Sequence, residues 1–355
     1  VVPLIHELSR RDPRLPITVT TTTPTGSARV REQLGDQVFR VYFPYDLPLP
    51  LTGFIRRVRP RMLLMVETEI WPNLLHMCRR VGIYTLLANA RLSETSARRY
   101  AHVAGFTRDT FAQIDCVAAQ SDADAARFCA LGLPAERVRV TGSIKFDLRI
   151  PASLEEQVEV LRRDWGGRPV WVAGSTHEGE DELVLFVHRR VLVRFPEALL
   201  ILVPRHPERF ERVAALVRRE QLRLARRSGP EEYSAQAQVY LGDTMGELPI
   251  LLGSADVAFI GGSLVETGGH NMLEAAARGV PTCFGPHVFN FAAVSQILIE
   301  AGAAVQVADA SALADQVVAW LEDASRRAEV GEEGRRVVGR NRGALERLMA
   351  LIPPM

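Results

Sequence analysis

Short continuous apolar runs alternate along this chain with longer stretches whose apolar positions recur at helical spacing. The runs predict strands over 17–22, 38–43, 62–66, 83–88, 116–120 and 138–141 in the first half. In the second half they predict strands over 170–174, 199–203, 239–241, 257–260 and 280–284. Uninterrupted apolar runs of this length predict parallel strands buried on both faces. The helical stretches between them then read as crossovers of right-handed βα units. At 355 residues the chain is long for one core and suits two domains. The expected division is 1–150 and 151–355, with a joint near 147–152 that contains Pro151. The predicted class is α/β: two Rossmann-like, doubly wound domains facing a central cleft, with ligands beyond the carboxyl ends of the strands. A last amphipathic helix over 325–351 is expected to pack back across the cleft toward the first domain.

Composition sharpens this picture. A hydrophobic content of 47% and a charged content of 24% are those of an ordinary globular protein. The net charge of +1 conceals an asymmetry: residues 1–150 hold 21 Lys+Arg against 14 Asp+Glu, and the remainder 22 against 28. Either the first half meets an anionic partner, or the solvated charges are unevenly scattered. Arg56, Arg57, Arg59 and Arg61, interleaved with Phe54, Ile55 and Val58, read either as a patch for anionic lipid or as a solvated loop. No apolar run approaches the ~18 residues of a membrane span, and no secretory signal is visible. The chain opens on Val1, inside an apparent helix, so further residues are expected upstream. Cys78, Cys116, Cys129 and Cys283 form no CxxC pair and read as reduced core residues of a cytosolic protein. Near-neutral charge and the lack of a module signature argue against nucleic acid. No HExxH, clustered Cys/His or paired acidic motif suggests a metal, and no GxGxxG or Walker A lysine suggests NAD or ATP.

Several strands run into polar loops. Ser175 and Glu178, after the strand at 170–174, have the spacing of a capping box, with or without a ligand at the helix start; Thr176 lies between them. Pro204 and Pro207 bracket Arg205 and His206; Arg205 suits a phosphate or base, Arg209 reads as solvated, and His206 is either a core residue or a ligand. In the turn 242–248, Met245 is either packing or a pocket wall, beside Gly246 and Glu247. The segment 261–274 is the most distinctive: one glycine pair ends a strand, and Gly268 and Gly269 precede a helix expected to start near Asn271. Its amides are placed to hold a phosphate and Glu274 a ribose; Glu266 is a second carboxylate there. In the first half, Thr25, Gly26 and Ser27 form a strand-to-helix anion loop, and Glu67 lies at a strand end near Trp71. Lys145 is the only lysine beside 42 arginines, either because a compact ammonium is required or by chance survival.

Together, TTTTPTGS, YFPYDLP, ETEIWPN, NARLS, TGSIKFD, GSTHEGE, VPRHPERF, GDTMGEL, GGSLVETGGHN and FGPHVFNF resemble the 3-deoxy-D-manno-octulosonic acid (Kdo) transferases of lipopolysaccharide synthesis, in order from Val1 to about residue 350. The resemblance implies an inverting, metal-independent GT-B enzyme with CMP-Kdo as donor, a lipid A precursor as acceptor, and work at the cytoplasmic face of the bacterial inner membrane. It puts Pro204, Arg205, Met245, Gly246, Glu247, Asn271, Met272, Leu273 and Glu274 on CMP, with Glu274 at the ribose. Glu67 and Lys145 match positions of transition-state stabilisation. Ser175, Thr176, Glu266, Gly268 and Gly269 are further cleft candidates, and Thr25, Gly26, Ser27 and Arg91 belong to the acceptor side. The family's proton-accepting glutamate and membrane anchor are expected before Val1. A non-catalytic nucleotide-sugar-binding module, a UDP-sugar epimerase and a lipid A disaccharide synthase are the alternatives.

Overall fold

The computed structural model describes residues 1–148, 151, 153–229 and 236–354. Arg149, Ile150 and Ala152 of the expected joint therefore lie outside the described residues. Two compact units result: Val1–Asp147 with Asn341–Met355, and Leu148–Arg340.

In the first unit, β1 (Thr18–Thr21) pairs with β2 (Phe39–Tyr42), while β3 (Met62–Val66), β4 (Tyr84–Ala90), β5 (Cys116–Ala119) and β6 (Val138–Val140) form a sheet in that order. All pairings are parallel. The single sheet that the sequence suggests is thus two hydrogen-bonded groups, of two and four strands. Alternation along β4 and β5 explains why the larger sheet is covered twice. Leu87, Val117 and Ala119 join Phe111 and Phe128 on one face. Leu86, Ala88, Cys116 and Ala118 meet Leu4, Leu8, Leu348 and Met349 on the other.

The last helix is not continuous. It breaks into Ala324–Asn341 and Ala344–Ala350 at Gly343, whose φ is 86°. Asp147 explains the break, since its carboxylate accepts from the Gly343 and Leu345 N–H groups at 2.6 and 2.5 Å. These otherwise orphaned amides are satisfied by a charge-assisted bond. The chain after Arg340 therefore belongs to the first unit.

The second unit holds β7 (Val170–Thr176), β8 (Leu199–Pro204), β9 (Leu224–Arg226), β10 (Val239–Leu241), β11 (Val257–Ile260), β12 (Thr282–Phe284) and β13 (Ala304–Gln306). Their order is β13-β12-β11-β7-β8-β10-β9, all parallel. The short edge strands β9 and β13, Leu-Ala-Arg and Ala-Val-Gln, lack the apolar run that marks the others. β12 starts later than expected because Pro281 has no N–H for the ladder. From β7 the chain winds outward to β8, then returns to lay β11 on the other side of β7. The topological switch point, where such sheets bind ligands, lies between β7 and β11.

All four cysteines are free; Cys78, Cys116 and Cys283 are buried and Cys129 is half-buried. Among the described residues no helix is long and apolar enough to cross a membrane.

Beneath the second sheet, the buried Trp171 indole donates to His188 Nδ1 at 3.1 Å. Burial keeps this imidazole neutral, its pKa pushed down to about 3. The unfolded chain, with an ordinary histidine there, takes up a proton that the folded chain refuses. The stabilising contribution is therefore complete above pH ~6.5 and lost on acidification at up to about 1.4 kcal/mol per unit. In urea unfolding between pH 6.5 and 5, His188→Gln should flatten the pH dependence by about one proton's worth relative to the parent. An unchanged slope would refute this.

Candidate functional site

In the first unit β3 ends directly before Glu67, whose φ is 61° and whose carboxylate stands 3.4 Å from Lys145 Nζ. The turn that carries Lys145, after β6, is tied back to β4, two strands away in the sheet. Asn89, buried near the end of β4, accepts the Ile144 N–H on Oδ1 at 3.1 Å, and Gln120 Nε2 donates to its carbonyl at 2.8 Å. Asn89 also has a positive φ, 50°, where the β4–β5 register shifts. Val1 lies within electrostatic reach of both Glu67 and Lys145. Thr25, Gly26 and Ser27 form the first turn of helix Pro24–Leu34, where Thr23 Oγ1 accepts the Gly26 N–H at 3.1 Å. Arg91 follows β4 and is half-buried. The basic patch needs correction: Arg56, Arg57, Arg59 and Arg61 are exposed, but Ile55 is buried in the core with Leu51. The exposed apolar side chains of that region are Tyr45, Leu47 and Leu49.

In the second unit the loops after β11, β7, β8 and β10 emerge at one carboxyl edge, from adjacent strands. The capping box does not form. β7 runs through Ser175, at φ 59°, to Thr176; the next helix starts at Asp181 without a side-chain cap; and Glu178 pairs with exposed Arg212 at 2.7 Å. A carboxylate that the sequence reading passed over, Glu180, takes the structural role. It is fully buried and accepts four backbone N–H groups: His177 at 3.0 Å, Gly262 at 2.6 Å, Ser263 at 3.0 Å and Leu264 at 2.9 Å. This cradle locks the β7 and β11 loops together at the switch point. No local signal announces it, because three of the donors lie more than 80 residues away.

Arg209 also departs from expectation. It is largely buried, bonded to the Thr176 carbonyl at 2.6 Å and paired with Asp181, which itself accepts from Thr176 Oγ1 at 2.7 Å. Burial raises the Asp181 carboxyl above its ordinary range against the pull of Thr176 and Arg209. Arg205 is half-buried after β8, its N–H bonded to the Thr176 carbonyl at 3.0 Å. Pro204, Arg205, Ser175 and Thr176 thus form one group.

After β11, Gly268 has φ 94°, and a Cβ there would fall 2.4 Å from both Phe289 and Asn290, so only glycine fits. Glu266 is exposed beside it, and the Gly269 N–H is bonded to the Gly262 carbonyl at 2.7 Å. The following helix starts at Leu273, two residues later than expected, because Asn271 Oδ1 accepts the Leu273 N–H at 3.1 Å. Asn271 Nδ2 donates to Glu274 at 3.0 Å. Burial raises the Glu274 carboxyl against the opposing pull of Asn271 and Arg278. Met272 and Leu273 are buried in the core.

At the end of β10, Met245 is exposed and Gly246 has φ 83°. Glu247 is held below its usual range by Arg227, at 2.7 Å, which with Thr244 outweighs burial. Buried Asp243 orders the same turn, accepting from Arg226 at 2.7 Å and Ser228 N–H at 2.8 Å. This turn and the Asn271–Glu274 segment stand at strands three spacings apart, about 14 Å. Among the described residues no group of three or more His, Cys, Asp or Glu is placed to hold a metal.

Residues 1–148 match the family model of 3-deoxy-D-manno-octulosonic-acid transferases (kdotransferase), and residues 168–337 that of glycosyl transferases group 1. The 3-deoxy-D-manno-octulosonic acid transferase of Haemophilus influenzae is 44% identical over 99% of this chain and 83% of that protein. This chain belongs to the Kdo transferase family. It is a glycosyltransferase of GT-B fold with two Rossmann-like domains. The C-terminal CMP-Kdo binding domain of WaaA from Acinetobacter baumannii is 34% identical, covering 53% of this chain and 99% of that domain, with a TM-score of 0.51. The UDP-GlcNAc 2-epimerase of Neisseria meningitidis, bound to UDP-GlcNAc, covers 98% of this chain and 94% of its own at a TM-score of 0.61, but at 13% identity it shares only the fold. For this Kdo transferase the Glu180 cradle sets a structural test. Glu180→Gln turns an amide N–H₂ toward backbone donors and should cost roughly 2–3 kcal/mol in chemical denaturation, while Glu178→Gln leaves the midpoint unchanged. Equal midpoints for the two variants would contradict the assignment.

Proposed function

We propose that this Kdo transferase moves Kdo from CMP-Kdo to a lipid A precursor, with inversion and without a resident metal. The observation that carries the reading is the second unit. Its Pro204–Arg205, Gly246–Glu247 and Asn271–Glu274 segments follow strands at one carboxyl edge of the sheet, and the unit is similar to a solved domain described as CMP-Kdo binding. In this reading Arg205 meets the phosphate, Glu274 accepts the ribose hydroxyls, and the Met245–Glu247 turn lies along the nucleotide. Ser175, Thr176, Glu266, Gly268 and Gly269 shape the surrounding pocket.

The chemistry needs a base for the acceptor hydroxyl and positive charge for the departing CMP. Lys145, oriented by Glu67 and by the Asn89-held turn, supplies an ammonium for the transition state; Arg205 supplies charge at the phosphate. Thr25, Gly26, Ser27 and Arg91 serve the acceptor. The exposed arginines with Tyr45, Leu47 and Leu49 rest on an anionic membrane, at the cytoplasmic face.

Binding of CMP in preference to UDP, measured by calorimetry, tests the donor; preference for UDP would overturn it. Lys145→Ala should lower turnover from CMP-Kdo by about 100-fold or more while CMP affinity is retained. Unchanged turnover would refute its role.

A further inference from the structure

The connection after β8 carries two arginines in opposite surroundings, and both answer to one acceptor. The Thr176 carbonyl, at the end of β7, takes the Arg205 N–H at 3.0 Å and Arg209 Nη1 at 2.6 Å. Both lone pairs of that oxygen are thereby used. The first bond continues the β7–β8 pairing past its register shift at Ser175. The second comes from the far end of the same short loop, where the Arg209 N–H also closes on the His206 carbonyl at 3.1 Å. The segment from Arg205 to Arg209 is therefore held at both ends.

Thr176 is itself a fixed point. Its Oγ1 donates to Asp181 at 2.7 Å, and Asp181 pairs with Arg209. The next residue, His177, gives its N–H to Glu180 at 3.0 Å, and its Nε2 lies 2.7 Å from that of His270. Thr176, Asp181 and Arg209 thus close a ring: hydroxyl to carboxylate, guanidinium to carboxylate, guanidinium to carbonyl. Asp181 is buried and Arg209 largely so. The planar fork of an arginine reaches the carboxylate and the carbonyl at once, which a compact ammonium does not.

Stability alone does not account for this ring. Arg209 Nε is buried with no acceptor among the described residues. Apolar side chains of similar volume commonly replace a buried ion pair with equal or better stability. What the ring adds is geometry at Arg205. That side chain is half-buried, and among the described residues its guanidinium makes no hydrogen bond or ion pair. One arginine is bonded into the protein so that the backbone of the other has one place.

We propose that Arg209, with Asp181, is a positioning residue of the donor site: it pins the loop to Thr176 and so sets Arg205 in place before the nucleotide phosphate arrives. This rests on the donor-site reading above. Preorganisation of this kind removes an ordering cost from binding. No bond is made or broken, and Arg209 acts only through Arg205.

A double-mutant cycle on CMP affinity, measured by calorimetry, tests this. Removing one partner of a buried pair leaves an uncompensated charge, so two changes that keep the net charge are used. Arg209→Lys keeps the cation for Asp181 and loses the fork; Arg209→Met with Asp181→Leu replaces the pair as a whole. Arg205→Ala alone should weaken CMP by about tenfold or more. Either Arg209 change should weaken it by about fivefold in the parent background, yet by less than about twofold once Arg205 is alanine. In the unliganded parent, ¹⁵N relaxation should show the Arg205 backbone amide as rigid as the strands, a readout that needs no variant. Equal losses in both backgrounds, no loss in the parent background, or a mobile Arg205 backbone would overturn the inference alone. CMP affinity untouched by Arg205→Ala would sink the donor-site reading and the inference with it.

Discussion

A buried carboxylate whose hydrogen-bond donors are backbone amides is expensive unless every oxygen is occupied, and Glu180 meets that condition with four N–H groups. Those amides come from the loops after β7 and β11, the strands flanking the switch point. Without the carboxylate, three consecutive N–H groups of Gly262, Ser263 and Leu264 would be left in a buried loop. With it, the loop has one geometry, and His270 is brought to His177. The remaining polar segments of the unit, at Arg205 and Glu274, are arranged around that fixed point.

The cradle changes how an anion must be held here. Glycine-rich loops usually offer their amides to phosphate. In this loop the amides of residues 262–264 go to Glu180, that of Gly269 to a carbonyl, and that of Leu273 to Asn271. The charged side chain at the same edge is Arg205, after β8.

Both units use a second device. Glu67, Asn89 and Ser175 have positive φ at or near the carboxyl ends of β3, β4 and β7. The other two such residues, Arg59 and Gln221, simply follow helices, where that conformation closes the last turn. A left-handed non-glycine residue costs of order 1–3 kcal/mol and persists where its surroundings over-determine it. At Asn89 the surroundings are visible: its amide oxygen binds the turn that carries Lys145, so strain in β4 fixes the turn after β6, two strands away.

Periodicity in the sequence determined the α/β class, eleven of the thirteen strands among the described residues and the polar loops after them, because burial on both faces writes a local apolar run. Family motifs then pointed to Glu67, Lys145, Arg205 and Glu274. The edge strands β9 and β13, three residues each and only partly covered, left no such run. The break at Gly343 carried a local sign in the glycine, but the Asp147 carboxylate that fixes it lies 196 residues away. Glu180, Asn89, the burial of Arg209 and the His177–His270 contact were decided by tertiary structure alone. Each depends on which loops the strand order brings together, and strand order is set by crossover topology across the whole unit, where a local pattern of residues has no reach.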